Sequence, residues 1–177
     1  HRRQAVLVSG RVLRKQGEIR GRRSTDEQGA QYLERARDLL DPLALELPDD
    51  EEVRTHAALV HVHLGYSYMR GGDLDRAAEH GREGIQRFET VWADFPERVL
   101  NAQLLAQALH WQARTLVHRK ELDAAAKAQD RAITLVESVQ ERAEQPEQTA
   151  GFLAVIRQAR GAVVGLEAGD DVLAGAH

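Results

Sequence analysis

Arg70-Gly71-Gly72-Asp73-Leu74 is a short polar interruption between two long segments of helical apolar spacing, and its recurrence decides how the chain is read. Similar punctuation stands at Lys15-Gln16-Gly17-Glu18-Ile19, His118-Arg119-Lys120-Glu121-Leu122 and Ala168-Gly169-Asp170-Asp171-Val172. Taken at Gly17, Gly72, Lys120 and Gly169, the marks step by 55, 48 and 49 residues. Seven residues before each stands a small residue: Gly10, Gly65, Ala113 and Ala162. A repeated unit of helix, tight turn and helix produces this pattern, so the chain reads as a helical repeat array.

Composition agrees. The 177 residues suit a single domain, long enough to bury roughly 70% of the unfolded surface. Aromatic residues make up 5%, and the abundant residues are good helix formers. A net charge of −4 argues against global binding to nucleic acid. The absence of cysteine excludes disulfides and thiolate zinc sites and suits a cytoplasmic setting. No apolar run approaches the ~20 residues needed to span a bilayer, so membrane insertion is not expected. The chain starts at His1 without a signal-peptide pattern, and repeat-like sequence reaches both ends, so it reads as an excerpt of a longer protein.

Periodicity and breakers predict helices over about 2–16, 26–40, 50–70, 74–93, 97–119, 122–144 and 147–167, with Gly169 opening a truncated partner. The extra length of the first step is placed in a protruding loop at 20–26, before a capping box at Ser24/Glu27 or Thr25/Gln28. Asp41-Pro42 is read as the end of the second helix, since no proline is expected inside a periodic segment. Asp49 and Asp50 are candidate caps for the helix from about 50, and Asp73 for the one from about 74. The units fall at about 2–41, 49–94, 97–144 and 147–177 of one domain, all-α, with about seven helices and antiparallel neighbours.

With the turn placed, the second unit resembles a tetratricopeptide repeat through Leu64-Gly65-x2-Tyr68 and Ala77, twelve residues after the glycine. Ala113 with Ala125 and Ala162 with Ala174 keep the same separation, while Gly10 is matched by Arg22. The motif's aromatic position is Val6, His61, Leu109 and Gln158, and the large residue expected four after the second small one is Gly81 or Gln129. The step also exceeds the ~34 residues of the common repeat, by roughly two extra turns per helix. The resemblance is to the long-helix variety of bacterial signalling proteins, and it implies a right-handed antiparallel helix-pair solenoid.

It also implies a concave groove lined by the first helix of each pair. The positions carried across are Gln4, Leu7, Arg11 and Arg14, then Leu59, Val62, Tyr66 and Met69, then Gln107, His110, Arg114 and Val117, and finally Ile156, Ala159 and Val163. Of these, Arg11, Arg14, Tyr66, Met69, His110 and Arg114 are expected to contact a partner. Leu59, Val62, Ile156 and Val163 fit equally well as packing between repeats. A cationic end and an apolar, aromatic middle suit a peptide with acidic groups. The basic stretch over 1–23 is alternatively a solvated face.

Chemistry is not signalled. The usual nucleotide, hydrolase, metalloprotease and calcium-loop motifs do not occur, and Gly81-Arg82-Glu83-Gly84 falls within a helical pattern. The eight histidines lack compact ligand spacing, and His61 reads as packed between helices, so neither metal nor cofactor is expected. The expected role is a non-enzymatic protein or peptide interaction module. The alternative is a peptide-sensing domain that controls an output domain outside this excerpt.

Overall fold

The computed structural model describes the backbone of residues 1–23 and 27–174 and the side chains of residues 1–20 and 28–166. Among them there are seven α-helices and no strand. These are α1 (Arg2–Arg23), α2 (Glu27–Glu46), α3 (Glu51–Gly71), α4 (Leu74–Asp94), α5 (Val99–His118), α6 (Leu122–Val139) and α7 (Pro146–Ala174). A single 3-10 turn, Gln140–Arg142, follows α6, which therefore stops short of the expected residue 144. No described helix is long and apolar enough to cross a membrane.

The α3–α4 and α5–α6 connections are built alike. Gly72 has φ +84°, and its N–H donates to Met69 O at 3.1 Å while that of Asp73 donates to Tyr68 O at 3.0 Å. Lys120 has φ +65°, with Lys120 N–H to Val117 O at 3.0 Å and Glu121 N–H to Leu116 O at 2.9 Å. Both are Schellman closures, in which a left-handed residue turns the chain and satisfies the last helical carbonyls. The helices that follow start differently. Asp73 caps α4 by accepting from Arg76 N–H at 3.1 Å, whereas Glu121 makes no such bond. Asp50 caps α3 in the same way as Asp73, accepting from Val53 N–H at 3.1 Å.

The first and fourth marks are not turns. Gly17 lies inside α1, which runs on to Arg23 before α2 begins at Glu27. The cap residues expected there, Ser24 and Thr25, lie outside the described residues, and the Gln28 side chain accepts from Arg20 Nη1 at 2.6 Å. Gly17 instead serves close approach: a Cβ on it would stand 2.6 Å from Leu33 Cγ and 2.8 Å from Gly29 O. Gly65 meets Ala77 in the same fashion, a Cβ there lying 3.1 Å from Ala77 O and 3.1 Å from Gly81 N. Gly17, Gly65 and Ala113 thus step by 48 residues, as do Gly29, Ala77 and Ala125. The first pair carries no insertion. Gly10 packs on Leu40, whose Cγ would stand 2.6 Å from a Cβ there.

At the other end, α7 continues unbroken through Gly169 and Asp170. No partner helix opens there, and Ala162 is exposed. Ala174, its expected companion, has no described side chain. Proline placement also departs from expectation, because α2 runs through Pro42 to Glu46. The ring removes the hydrogen bond to Asp38 O. The helix persists because Leu40 and Leu43, on either side, are both buried in the core. Pro146, by contrast, stands at the first position of α7, where no N–H is needed.

Packing divides the chain into two compact units, His1–Phe95 and Pro96–His177. In the first, α1 packs on α2, α2 on α3 and α3 on α4, while α1 also runs beside α3. Leu7, Leu33, Ala36, Leu40, Leu43, Val53, Ala57, Val60 and Leu64 form one core there. Each fully buried leucine in it contributes about 1.5–3 kcal/mol. In the second, α5 packs on α6, α6 on α7, and α7 touches α5. Ala113, Ala125, Ala126 and Val163 form a core cluster in that unit.

Candidate functional site

The parallel seam of α1 and α3 gathers most of the charge that the sequence singled out. On α1, positions 3, 11, 14 and 18 recur at helical spacing along one face, as do 52, 56 and 63 on α3. Arg3 donates to Asp50 Oδ2 at 2.5 Å and approaches Glu52 at 3.5 Å, and Arg11 Nη1 donates to the other Glu52 oxygen at 2.9 Å. Deeper in, Arg14 Nη1 donates to His63 Nε2 at 3.2 Å and lies 3.6 Å from Glu18. A guanidinium has no lone pair, so His63 must present an unprotonated Nε2 to it.

Arg14 is poorly compensated. Its Nε is buried without a hydrogen-bond partner, and so are His56 Nδ1 and Thr55 Oγ1 on α3. Burial and the Arg11 charge outweigh Glu18 and hold Arg14 below the ordinary arginine value, although it stays cationic at neutral pH. Burial, followed by the charges of Arg14 and Arg11, pushes the His56 imidazole down to about 4, against the opposing effect of Glu52. At neutral pH the seam therefore offers the guanidiniums of Arg3, Arg11 and Arg14 and the neutral His56 imidazole, with the Arg14 Nε–H left over. Chemically it suits a carboxylate or phosphate that competes with Glu18 and Glu52.

The remaining expected contacts do not join this seam. Tyr66 is half-buried on α3 with the Arg70 guanidinium 5.9 Å from its ring centre. Met69 is only 7% exposed and is packed in the core. His110 is 8% exposed, with the Gln129 amide 3.2 Å from its Nδ1 and Phe152 edge-on at 6.5 Å. It fills space among α5, α6 and α7. Arg114 is exposed on α5, in the second unit. Leu7, Leu59, Val62, Ile156 and Val163 are all buried, which resolves them as core. Arg11 and Arg14 are the pair that the structure brings together.

A second polar group, across α2, α3 and α4, was marked in the sequence only by His61. This ring is 5% exposed, with Nε2 3.0 Å from Asp41 Oδ2 and Nδ1 3.1 Å from His80 Nδ1. Arg87 donates to the other Asp41 oxygen at 2.8 Å and to Glu83 at 2.6 Å. Tyr68 stacks on His80 at 5.5 Å and donates to Glu34 at 2.6 Å, and the Arg76 guanidinium lies 4.4 Å from its ring centre. Burial opposes ionisation of Asp41. The His61 hydrogen bond and the charges of His61, Arg87 and Arg37 outweigh it and hold the carboxyl below its usual range. Burial pushes the Tyr68 hydroxyl up to about 12, reinforced by Glu34. His80 lies 19 residues after His61, the separation that also joins His110 to Gln129 across the next turn. That recurrence was the available sequence signal.

Among the described residues, no three histidine or acidic side chains converge on a point where a metal ion would sit. No protein-family model matches the chain, and no curated protein matches it significantly.

Proposed function

We propose that the chain is a cytoplasmic protein- or peptide-interaction module without chemistry of its own. In this reading its helix pairs form a right-handed solenoid of the tetratricopeptide kind, and the face along α1 and α3 takes a segment bearing acidic groups. The observation that carries the reading is the 48-residue recurrence of the same small-residue contact in three successive helix pairs, Gly17–Gly29, Gly65–Ala77 and Ala113–Ala125. Units repeated in this way bury one face against a neighbour and leave extended surface for recognition. The pairing of Arg11 and Arg14 with intramolecular carboxylates supports an acidic partner. A preformed surface of this kind spares ordering entropy on binding.

The test is affinity capture from native cell extract, comparing the chain with an Arg11→Gln/Arg14→Gln variant and with Arg114→Gln alone. Neutral replacements are chosen because glutamate at these sites would face Glu52 and Glu18. The expected result is a protein retained by the wild type and by Arg114→Gln but lost from the double variant, followed by direct titration with that protein. Equal retention by all three would remove the α1–α3 face from consideration and favour a peptide-sensing role elsewhere on the chain.

A further inference from the structure

The His61–His80 contact is the least ordinary chemistry in the first unit. Two imidazole Nδ1 atoms 3.1 Å apart hold together only if one carries a proton and the other a lone pair. His61 Nε2 faces a carboxylate, which only accepts, so that nitrogen bears a hydrogen. With both rings neutral, His61 Nδ1 is then the acceptor and His80 Nδ1–H the donor. One added proton is tolerated, since a doubly protonated His61 donates at both ends and His80 switches to its other tautomer. A second added proton sets two N–H groups against each other at 3.1 Å, between the buried His61 and the half-buried His80.

We propose that this pair is a pH-responsive latch between α3 and α4, closed while it holds at most one added proton and opened by the second. The charged and titratable groups around it are those of all three packed helices. Glu34, Arg37 and Asp41 approach from α2, Tyr68 lies on α3, and Arg76, Glu79, Glu83 and Arg87 belong to α4. Burial lowers the His80 imidazole, as do the charges of His61 and Arg37, against the raising effects of Glu34 and Glu79. A histidine held below its ordinary value of 6.5 gives stability that is complete above that pH and is lost as the pH falls toward the folded-state value. Opening would release the Tyr68 stack on His80 and free the Asp41–Arg87 pair from its buried partner.

The test is native-state amide exchange of the full chain between pH 7.5 and pH 5, corrected for intrinsic rates, with ring nitrogens followed by long-range proton–nitrogen spectra. The logarithm of the opening constant for α4 amides around residue 80 is expected to be flat near pH 7.5. Below it should steepen toward tenfold per pH unit, the limit for one proton taken up on opening. His80→Gln, which keeps a donor and an acceptor but cannot charge, should lose this added slope, leaving only the decline that His56 contributes. Should that variant fold poorly, the wild-type ring spectra decide: one protonated Nδ1 between the two rings at pH 7.5 is expected. Two unprotonated Nδ1 atoms, or an acid slope unchanged in His80→Gln, would overturn the latch.

Discussion

The α3–α4 and α5–α6 pairs share one backbone plan and furnish it differently. Where α3 meets α4 the close positions are Gly65, Gly81 and Gly84, and 48 residues further on they are Ala113, Gln129 and Ala132. The turn is Gly72 in one and Lys120 in the other, both left-handed. Glycine puts backbone against backbone in the first pair, where the Gly84 Cα side faces Val62 directly. In the second pair the Gly81 slot is filled by Gln129, 1% exposed, whose amide is satisfied by His110. One architecture is therefore reached by removing side chains or by burying a paired one, and the two solutions should fail under different perturbations.

The largest effect is expected from Gly84→Leu. A Cβ there would stand 2.6 Å from Val62 Cγ2 and 3.1 Å from Val62 N, and backbone cannot step aside. A loss of about 3 kcal/mol or more should appear in urea melts, with Gly65→Leu behaving alike. Gly17→Ala comes next, because its Cβ would meet Gly29 O at 2.8 Å. A loss of about 1–3 kcal/mol there, where a solvent-exposed helical glycine would gain ~1 from alanine, would place α1–α2 with the glycine-built pair. No loss would break the common 48-residue register.

Acid should separate the units in another way. The His56 imidazole, held at about 4 by burial and by Arg14 and Arg11, is neutral when folded and protonates readily when unfolded. Stability from this group is full above pH 6.5 and drains away as the pH falls from there toward 4. Calorimetric melts of His56→Leu should show a shallower acid decline than wild type over that window. Equal slopes would mean that the seam is wetter than its geometry implies.

The smallest effects concern the turns. Gly72→Ala should cost roughly 1 kcal/mol, and Lys120→Gly should stabilise by up to about 1 kcal/mol, the left-handed penalty offset by glycine's greater unfolded freedom. Similar melting changes of the same sign would contradict the equivalence of the two turns.

How legible was this in the sequence? Helix number and class followed from periodicity, and the Gly72 and Lys120 turns were found because each is flanked by polar residues after a long apolar pattern. Gly17 misled because a glycine among polar neighbours looks the same whether it turns the chain or lets a leucine in. Only tertiary contact with Leu33 and Gly29 distinguishes the two. Pro42 misled for a related reason, since the packing of Leu40 and Leu43 overrides a lost hydrogen bond. Arg11 and Arg14 were visible as charge at helical spacing. Asp41, His80 and Arg87 were not, because they come from two different helices and converge on a third.

Each helix in either unit packs chiefly against the next one along the chain, with α1–α3 and α5–α7 as the longer reaches. Such contacts close small loops, and loop closure sets the pace at which a chain finds its structure. Each unit should therefore fold on the microsecond-to-millisecond scale of helical domains, nucleating at whichever pair forms first and spreading to its neighbour. The glycine-built α3–α4 pair, which gains its contacts only at full approach, is the natural place for the late step.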